Sequence, residues 1–330
     1  MNWRNEMNKN SMGGTELLME RLVSSLGEEF LEGVQIIPTR VRELDNDKIR
    51  ILWIHDTESD PECSHLANGG WKKFHKIVFV SYTQQQDFIR KFNIPYSQCT
   101  VLSNSIVPID VDLDKKTFDR IELVYTPTPH RGLGILVPVF ERLHDKYKDK
   151  IHLSVYSSFK LYGWDERDKE FEELYQRIRD HDGMSYFGTV PNDEIRESLK
   201  TKHIFAYPST WRETGCLCLM EAMSAGLACV HSSLGALPET AANWTFMYDY
   251  IESPDEHARR LLITLDHAIQ MFMKAPPIGE LKTQKSYADI FYSNEMRMMQ
   301  WNELILGMKA QYQDQPLSPP EQKYTFKYGA

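Results

Sequence analysis

The stretch His203–Gly226, HIFAYPSTWRETGCLCLMEAMSAG, decides how the chain is read. It opens as a short apolar strand, Ile204 to Tyr207, broken by Pro208. A polar loop, Ser209 to Glu213, leads into an apolar-rich run that stops at Gly226. Within that run Leu217, Met220 and Ala225, and Leu219 with Met223, recur at helical intervals, with Gly226 as the cap. A helix start pointing back over a strand end offers unpaired N–H groups and about half a unit of positive charge. The stretch Thr214–Leu217 is therefore expected to hold an anion. Glu213 and Glu221 bracket it. On one continuous helix they would lie roughly 12 Å apart at about 1.5 Å per residue. That is too far for a compact pair of catalytic carboxyl groups, which need about 5–10 Å. The spacing suits an extended ligand with Glu213 at one end, the helix start in the middle and Glu221 at the other. A nucleotide-sugar has that layout.

Length and composition narrow the classes. The 330 residues are enough for two domains with full cores, and 42% apolar with 26% charged residues is the balance of a soluble globular protein. A net charge of −9 argues against nucleic acid as a main partner, since phosphate backbones are held by clustered Lys and Arg. No apolar run approaches the roughly 20 residues of a spanning helix, and no signal peptide is evident. Five cysteines without paired metal-type spacing read as reduced thiols, so the expected location is cytoplasmic. Cys216 and Cys218 would point to different sides of their helix, which argues against a metal site there.

The segment ETGCLCLME followed by AMSAG resembles the E-x(7)-E signature of retaining GT-B glycosyltransferases, family four in particular. The resemblance implies an α/β chain of GT-B type, two Rossmann-like domains facing each other across a cleft. It implies transfer of a sugar from a nucleotide-diphosphate donor to a hydroxyl acceptor with retention of configuration. By position, Glu213 takes the role of the Glu that contacts the transferred sugar and Glu221 that of the Glu on the ribose. Gly215 stands where Phe is common in the family. No metal or other cofactor is implied, because Arg131, the helix start with Gly215, Cys216 and Leu217, and backbone amides offset the leaving-group charge. The expected partners are the nucleotide-diphosphate sugar and a glycan, lipid or other hydroxyl acceptor, with membrane contact only for a lipid acceptor.

The remaining chain is ordered around this motif. Met12-Gly13-Gly14-Thr15-Glu16 precedes an amphipathic helix ending at Gly27, and Gly13 and Gly14 match the family's glycine loop that approaches the donor diphosphate. Relatives begin with a buried strand before this loop. Met1 to Ser11 is Asn-rich and charged and supplies none. Either the first sheet is one strand short, its edge is covered otherwise, or the sequence starts late. Strands follow at 33–38, 49–54, 77–80 and 101–106, with helices at 70–75 and 83–92. His55 comes directly after the second strand, at the end where open α/β sheets bind ligands, and resembles the family's His that approaches the donor sugar. The reading gives a first domain over 1–106, a linker over 107–120, and a donor domain over 121–280. A helix over 281–312 crosses back to the first domain, and the tail is 313–330.

In the donor domain Thr126-Pro127-Thr128-Pro129-His130-Arg131-Gly132-Leu133 turns from strand to helix. Arg131 there suits a diphosphate, because a guanidinium presents several donors at once. A second family Arg is replaced by Thr126, leaving Ser209 or backbone groups to share the load. Gly188, in Tyr186-Phe187-Gly188, resembles a segment near the nucleotide base. Two rival functions are weighed: a nucleotide-sugar epimerase of the same fold, which would need an acid–base pair, and a nucleotide-sugar binder without turnover.

Overall fold

A computed structural model describes residues 13–312, and these divide into two compact units, 13–105 with 294–312, and 106–293. The expectations for residues 1–12 and for the tail 313–330 lie outside the described residues.

The first unit holds α1 (Gly14–Leu26), β1 (Val34–Pro38), β2 (Ile49–Ile54), β3 (Lys76–Phe79), α2 (Tyr82–Phe92), β4 (Cys99–Val101) and, from the far end of the chain, α10 (Asn294–Tyr312). Its four strands run parallel in the order β1-β2-β3-β4. Every residue of β1 and β2 is buried, which is why they read as near-continuous apolar runs: helices or loops cover both faces of a parallel sheet. On one face Phe79, Phe88 and Phe92 pack ring to ring. Elsewhere in this unit Trp301 of α10 meets Trp53 of β2 edge-on, with centroids 4.9 Å apart.

The second unit contains β5 (Ile121–Tyr125), α3 (Leu133–Tyr147), β6 (Ile151–Val155), α4 (Glu172–Arg179), β7 (Met184–Tyr186), α5 (Asn192–Leu199), β8 (Ile204–Tyr207), α6 (Leu217–Ser224), β9 (Ala228–Ser232), α7 (Leu237–Ala241), β10 (Phe246–Tyr248), α8 (Pro254–Lys274) and α9 (Ile278–Phe291). Its six parallel strands lie in the order β10-β9-β8-β5-β6-β7. The chain starts in the middle at β5, winds outward through β6 and β7, then returns to β8 and winds the other way. Strand order reverses between β5 and β8, where Leu123 pairs with Ile204 and Val124 with Phe205. At such a reversal the loops leave in opposite directions and open a crevice beyond the carboxyl ends of the strands. The loops concerned are 126–132 and 208–216.

Several elements differ from the sequence reading. The strand expected over 101–106 is only Cys99–Val101. Beyond it Ser103 accepts from Arg297 at 2.6 Å and the Ser105 carbonyl accepts from Arg21 at 2.8 Å, so side chains take groups that a ladder would use. The helix expected at 70–75 is the tail of a 3-10 stretch, Pro61–Lys73, interrupted at Asn68 and Gly69 by left-handed backbone. The single helix expected over 281–312 is two, α9 and α10. The break lies at Tyr292 and Ser293, where the Tyr292 hydroxyl donates to the Thr240 carbonyl at 2.8 Å and its carbonyl accepts from Ile106 at 2.7 Å. Tyr292 is thus fixed in the second unit while Trp301, fully buried, is fixed in the first. Residues 107–120, read as a linker, are packed into the second unit. Ile109 and Leu113 are buried in its core, the Ile109 amide donates to Ser224 at 2.8 Å, and Lys116 donates to the carbonyls of Lys202 and Ala225.

Three buried histidines give this unit a pH dependence. His203, His231 and His257 are each lowered to about 4, chiefly by burial, which disfavours the charged ring. The unfolded chain takes up their protons near pH 6.5 and the folded one near 4, so their contribution is complete above about 6.5 and is lost as pH falls towards 4. The expected result is a melting temperature that drops steadily from pH 6.5 to 4.5, and a double His203→Gln, His231→Gln variant should show a shallower drop.

Candidate active site

The site is assembled where β5 and β8 part. After β5 the backbone passes through Thr128, Pro129, His130 and Arg131 to Gly132, which has φ +116°. A Cβ at Gly132 would lie 2.0 Å from the Pro208 carbonyl oxygen. The absence of a side chain therefore lets the loop after β5 press against the loop after β8. Two hydrogen bonds fasten them: the Thr210 hydroxyl to the His130 carbonyl at 3.0 Å, and the Thr210 amide to the Arg131 carbonyl at 3.4 Å.

This apposition brings Arg131 onto Glu213. The guanidinium donates from Nη1 to Glu213 Oε1 at 2.8 Å, and the Tyr207 hydroxyl donates to the same oxygen. Glu213 is buried, and its backbone is held too: its carbonyl accepts from Ala236 at 2.8 Å, and it forms a parallel bridge with Gly235. Gly235 has φ +66°, and a Cβ there would stand 2.4 Å from the Glu213 carbonyl oxygen. Burial works against the Arg131 charge. Glu213, with Tyr162, Tyr207 and Cys216, outweighs it, and the guanidinium stays protonated above its ordinary range. Burial, reinforced by Glu213, pushes the Tyr207 hydroxyl far up, so it remains a donor.

Around this pair lie buried polar atoms with no hydrogen-bond partner: Thr128 Oγ1, His130 Nδ1 and Arg131 Nε. Each such atom costs about 1–3 kcal/mol when left unmade. Burial, with Arg131 and Arg167 nearby, lowers His130 to about 4, so its ring is neutral at physiological pH. The loop after β8 then turns into α6, whose N-cap is Cys216. Glu213 is therefore not on the helix, as continuous spacing would have it; only Glu221 is.

Glu221 is buried and also already held. Asn192 Nδ2 donates to its two oxygens at 3.1 and 3.3 Å, and Arg196 Nη1 stands 3.8 Å away. Arg196 donates as well to the carbonyls of Val107 at 2.6 Å and Pro108 at 3.3 Å. Asn192 and Arg196 are four apart at the start of α5, on one helical face. That spacing was the available signal for them, and the sequence reading does not use it. Tyr207, Thr128 and His130 are likewise additions made by the fold.

The other expected residues fall as follows. Ser209 is fully buried and exchanges hydrogen bonds with the Trp211 backbone through its hydroxyl, so that group is engaged inside the loop. Thr126 is hydrogen-bonded to the Cys218 thiol, which burial pushes up to about 12. Gly215 and Leu217 lie at the start of α6, and Cys216 is buried there. Gly188, with φ +66°, follows β7 and precedes α5. His55, Gly13 and Gly14 belong to the first unit. There Gly13 caps α1, and the His55 amide donates to Thr39 at 2.8 Å. Burial lowers His55 to about 3, so the ring is neutral. Burial raises its neighbour Asp56 to about 6, with Asp60 and Glu62, and Glu16 of α1, adding to the effect. Among the described residues no group of His, Cys, Asp and Glu has the arrangement to hold a metal ion.

Residues 124–266 match the family described as Glycosyl transferases group 1. A human component of phosphatidylinositol N-acetylglucosaminyltransferase is 26% identical over 49% of this chain and 33% of its own length. The gpi3 subunit of the same enzyme from Schizosaccharomyces pombe is 22% identical over 70% of this chain and 52% of its own. The chain thus spans a third to a half of these curated relatives. Among solved structures, a glycosyltransferase from Rickettsia africae superposes with a TM-score of 0.64 at 14% identity, covering 89% of this chain and 80% of that one. HepE of Anabaena, solved with UDP-glucose, gives 0.59 at 14% identity over 79% and 72%. The α/β fold with two parallel-sheet domains is that of GT-B glycosyltransferases. The expectation of a cytoplasmic protein is corrected by these relatives, which are named for phosphatidylinositol, a membrane lipid. No helix among the described residues is long and apolar enough to cross a membrane.

Two glycines near the site separate its geometry from general stability. Gly132→Ala puts a Cβ against the Pro208 carbonyl at a positive φ and should cost about 2 kcal/mol or more in urea unfolding. Gly134→Ala, in the exposed first turn of α3 with nothing near its Cβ, should be neutral or stabilise by about 0.5–1 kcal/mol.

Proposed function

We propose that this chain transfers a sugar from a nucleotide-diphosphate sugar to a hydroxyl acceptor with retention of anomeric configuration. The observation that carries the reading is the part-buried Arg131–Glu213 pair at the strand-order reversal, with Thr128 Oγ1, His130 Nδ1 and Arg131 Nε unpartnered in the loop that carries Arg131. A polar ligand at this place would meet those groups. Arg131 commits Nη1 to Glu213 and keeps Nε for another acceptor, which suits a diphosphate oxygen. Thr128 adds a hydroxyl, and Gly215, Cys216 and Leu217 at the start of α6 supply backbone. Supporting the same reading, the chain matches a glycosyltransferase family over 124–266, and HepE, which shares its fold, was solved in complex with UDP-glucose.

In this reading Glu213 lies at the sugar, where bond breaking builds positive charge on the ring, and its carboxylate acts by electrostatic stabilisation. Glu221, held by Asn192 and Arg196, receives the ribose hydroxyls. The acceptor proton goes to the departing phosphate, so no separate base is assigned. Arg131 and the helix end offset the leaving-group charge, so no metal ion takes part. The relatives' names make phosphatidylinositol the first acceptor to test and UDP-N-acetylglucosamine the first donor. A lipid acceptor would bring the protein to a membrane surface.

Three measurements test this. Glu213→Gln should lower kcat about 10²-fold, since it removes charge from the transition state while keeping hydrogen-bonding shape. Glu221→Gln should mainly raise KM for the donor, the mark of binding that is equal in ground and transition states. Near-wild-type kinetics for both would sink the reading. Turnover should also persist in EDTA, and restoration by magnesium or manganese after loss would overturn the metal-free route.

A further inference from the structure

The loop after β8 carries Trp211, two residues before Glu213 and 43% exposed. Its ring is not loosely placed. The backbone of Trp211 is tied to the Ser209 hydroxyl through both its carbonyl, at 2.8 Å, and its amide, at 3.2 Å. The ring meets His130 edge-on, with centroids 5.1 Å apart at 81°. The Arg131 guanidinium carbon stands 5.4 Å from the ring centre. Behind it the row continues inward: His130 lies stacked on buried Phe159 at 5.0 Å and 16°, and Arg167 covers Phe159 at 4.4 Å. An indole fixed by an edge contact and a cation, and still open to solvent, is a prepared surface. Its neighbours are chemically mixed, with an unpartnered ring nitrogen on His130 and the carboxylate of Glu213 close in sequence and space.

A pyranose matches that combination. Its axial C–H groups make an apolar face that packs on an aromatic ring, and its equatorial hydroxyls need polar groups at the ring's edge. A phosphate would not use the indole face, and a purely apolar ligand would leave the His130 nitrogen unmet. We propose that Trp211 is the platform on which the donor's sugar ring packs, and that it sets preference for the sugar as distinct from the nucleotide. This rests on the proposed function, which places the sugar at Glu213, and adds a residue that the pair of glutamates does not include. The role is one of specificity: Trp211 has no group to donate or accept a proton in the reaction.

The test separates sugar from nucleotide. The full chain is titrated by calorimetry with UDP, GDP and ADP and with UDP-glucose, UDP-N-acetylglucosamine, GDP-mannose and ADP-glucose. Wild type should bind one sugar conjugate more tightly than the matching free nucleotide. Trp211→Ala should lose about tenfold of that difference, the scale of one aromatic contact, with affinity for the free nucleotide unchanged. Trp211→Phe, which keeps a ring, should retain most of it, and circular dichroism should show both variants folded. A Trp211→Ala protein that keeps the whole difference would overturn the proposal, as would one that loses free nucleotide equally or a wild type that binds both forms alike. Failure of wild type to bind any nucleotide would instead overturn the proposed function, and this inference with it.

Discussion

The pairing of Arg131 with Glu213 is the constraint on which the rest of the site depends. A buried ion pair seldom repays the removal of both charges from water, and an apolar pair of similar volume often does as well or better. This pair is part-buried, with Tyr207 donating to the same carboxylate oxygen, so it is poor evidence of a stability device and fits the proposed chemical role. Gly132 and Gly235 each give up a side chain so that backbone can close on backbone, and both do so to fix the loops that carry the two charges. The stabilising work is done elsewhere, in the apolar layers around β5, β6, β8 and β9.

Glu221 follows the same logic at lower cost. Its partners Asn192 and Arg196 come from α5, so its carboxylate is held by a different element from the one that carries Glu213's partner. The two acids are thus oriented independently: one by the strand-order reversal, the other by the packing of α5 beside α6. A ligand that touches both is measured by the separation of two rigid elements and not by side-chain flexibility. Arg196 also ties down Val107 and Pro108, where the chain has just entered the second unit.

How much of this the sequence disclosed depends on the kind of signal. Apolar runs such as Ile49–Ile54 and Ile204–Tyr207 report burial on both faces directly, so the strands and the two-sheet fold were readable. Glu213, Glu221 and Arg131 were singled out by position through the resemblance, and of these the structure brings Arg131 onto Glu213. What was not readable arose from groups that come together only after folding. Nothing local marks Tyr207 as a partner of Glu213, since its ring looks like ordinary strand filling. The break at Tyr292 and Ser293 is held in part by a hydroxyl reaching Thr240, far away in sequence. The stretch 107–120 misled for the opposite reason: its charges and Pro108 look like a linker, while Ile109 and Leu113 anchor it in a core.

The closed state of the pair also bears on direction along the site. With Nη1 held by Glu213, the charge that Arg131 offers to an arriving anion is partly cancelled, and an anion placed beside Glu213 would meet a like charge in a poorly solvated setting. Two phosphates would therefore settle towards Arg131 Nε, Thr128 and the start of α6, away from the carboxylate. What is left next to Glu213 must be uncharged in the ground state and gain from a nearby negative charge only as it reacts. A hexose ring that turns into an oxocarbenium ion meets both conditions. On the proposed function, the same electrostatics would order a nucleotide-sugar along the crevice, diphosphate over the helix start and sugar over the glutamate.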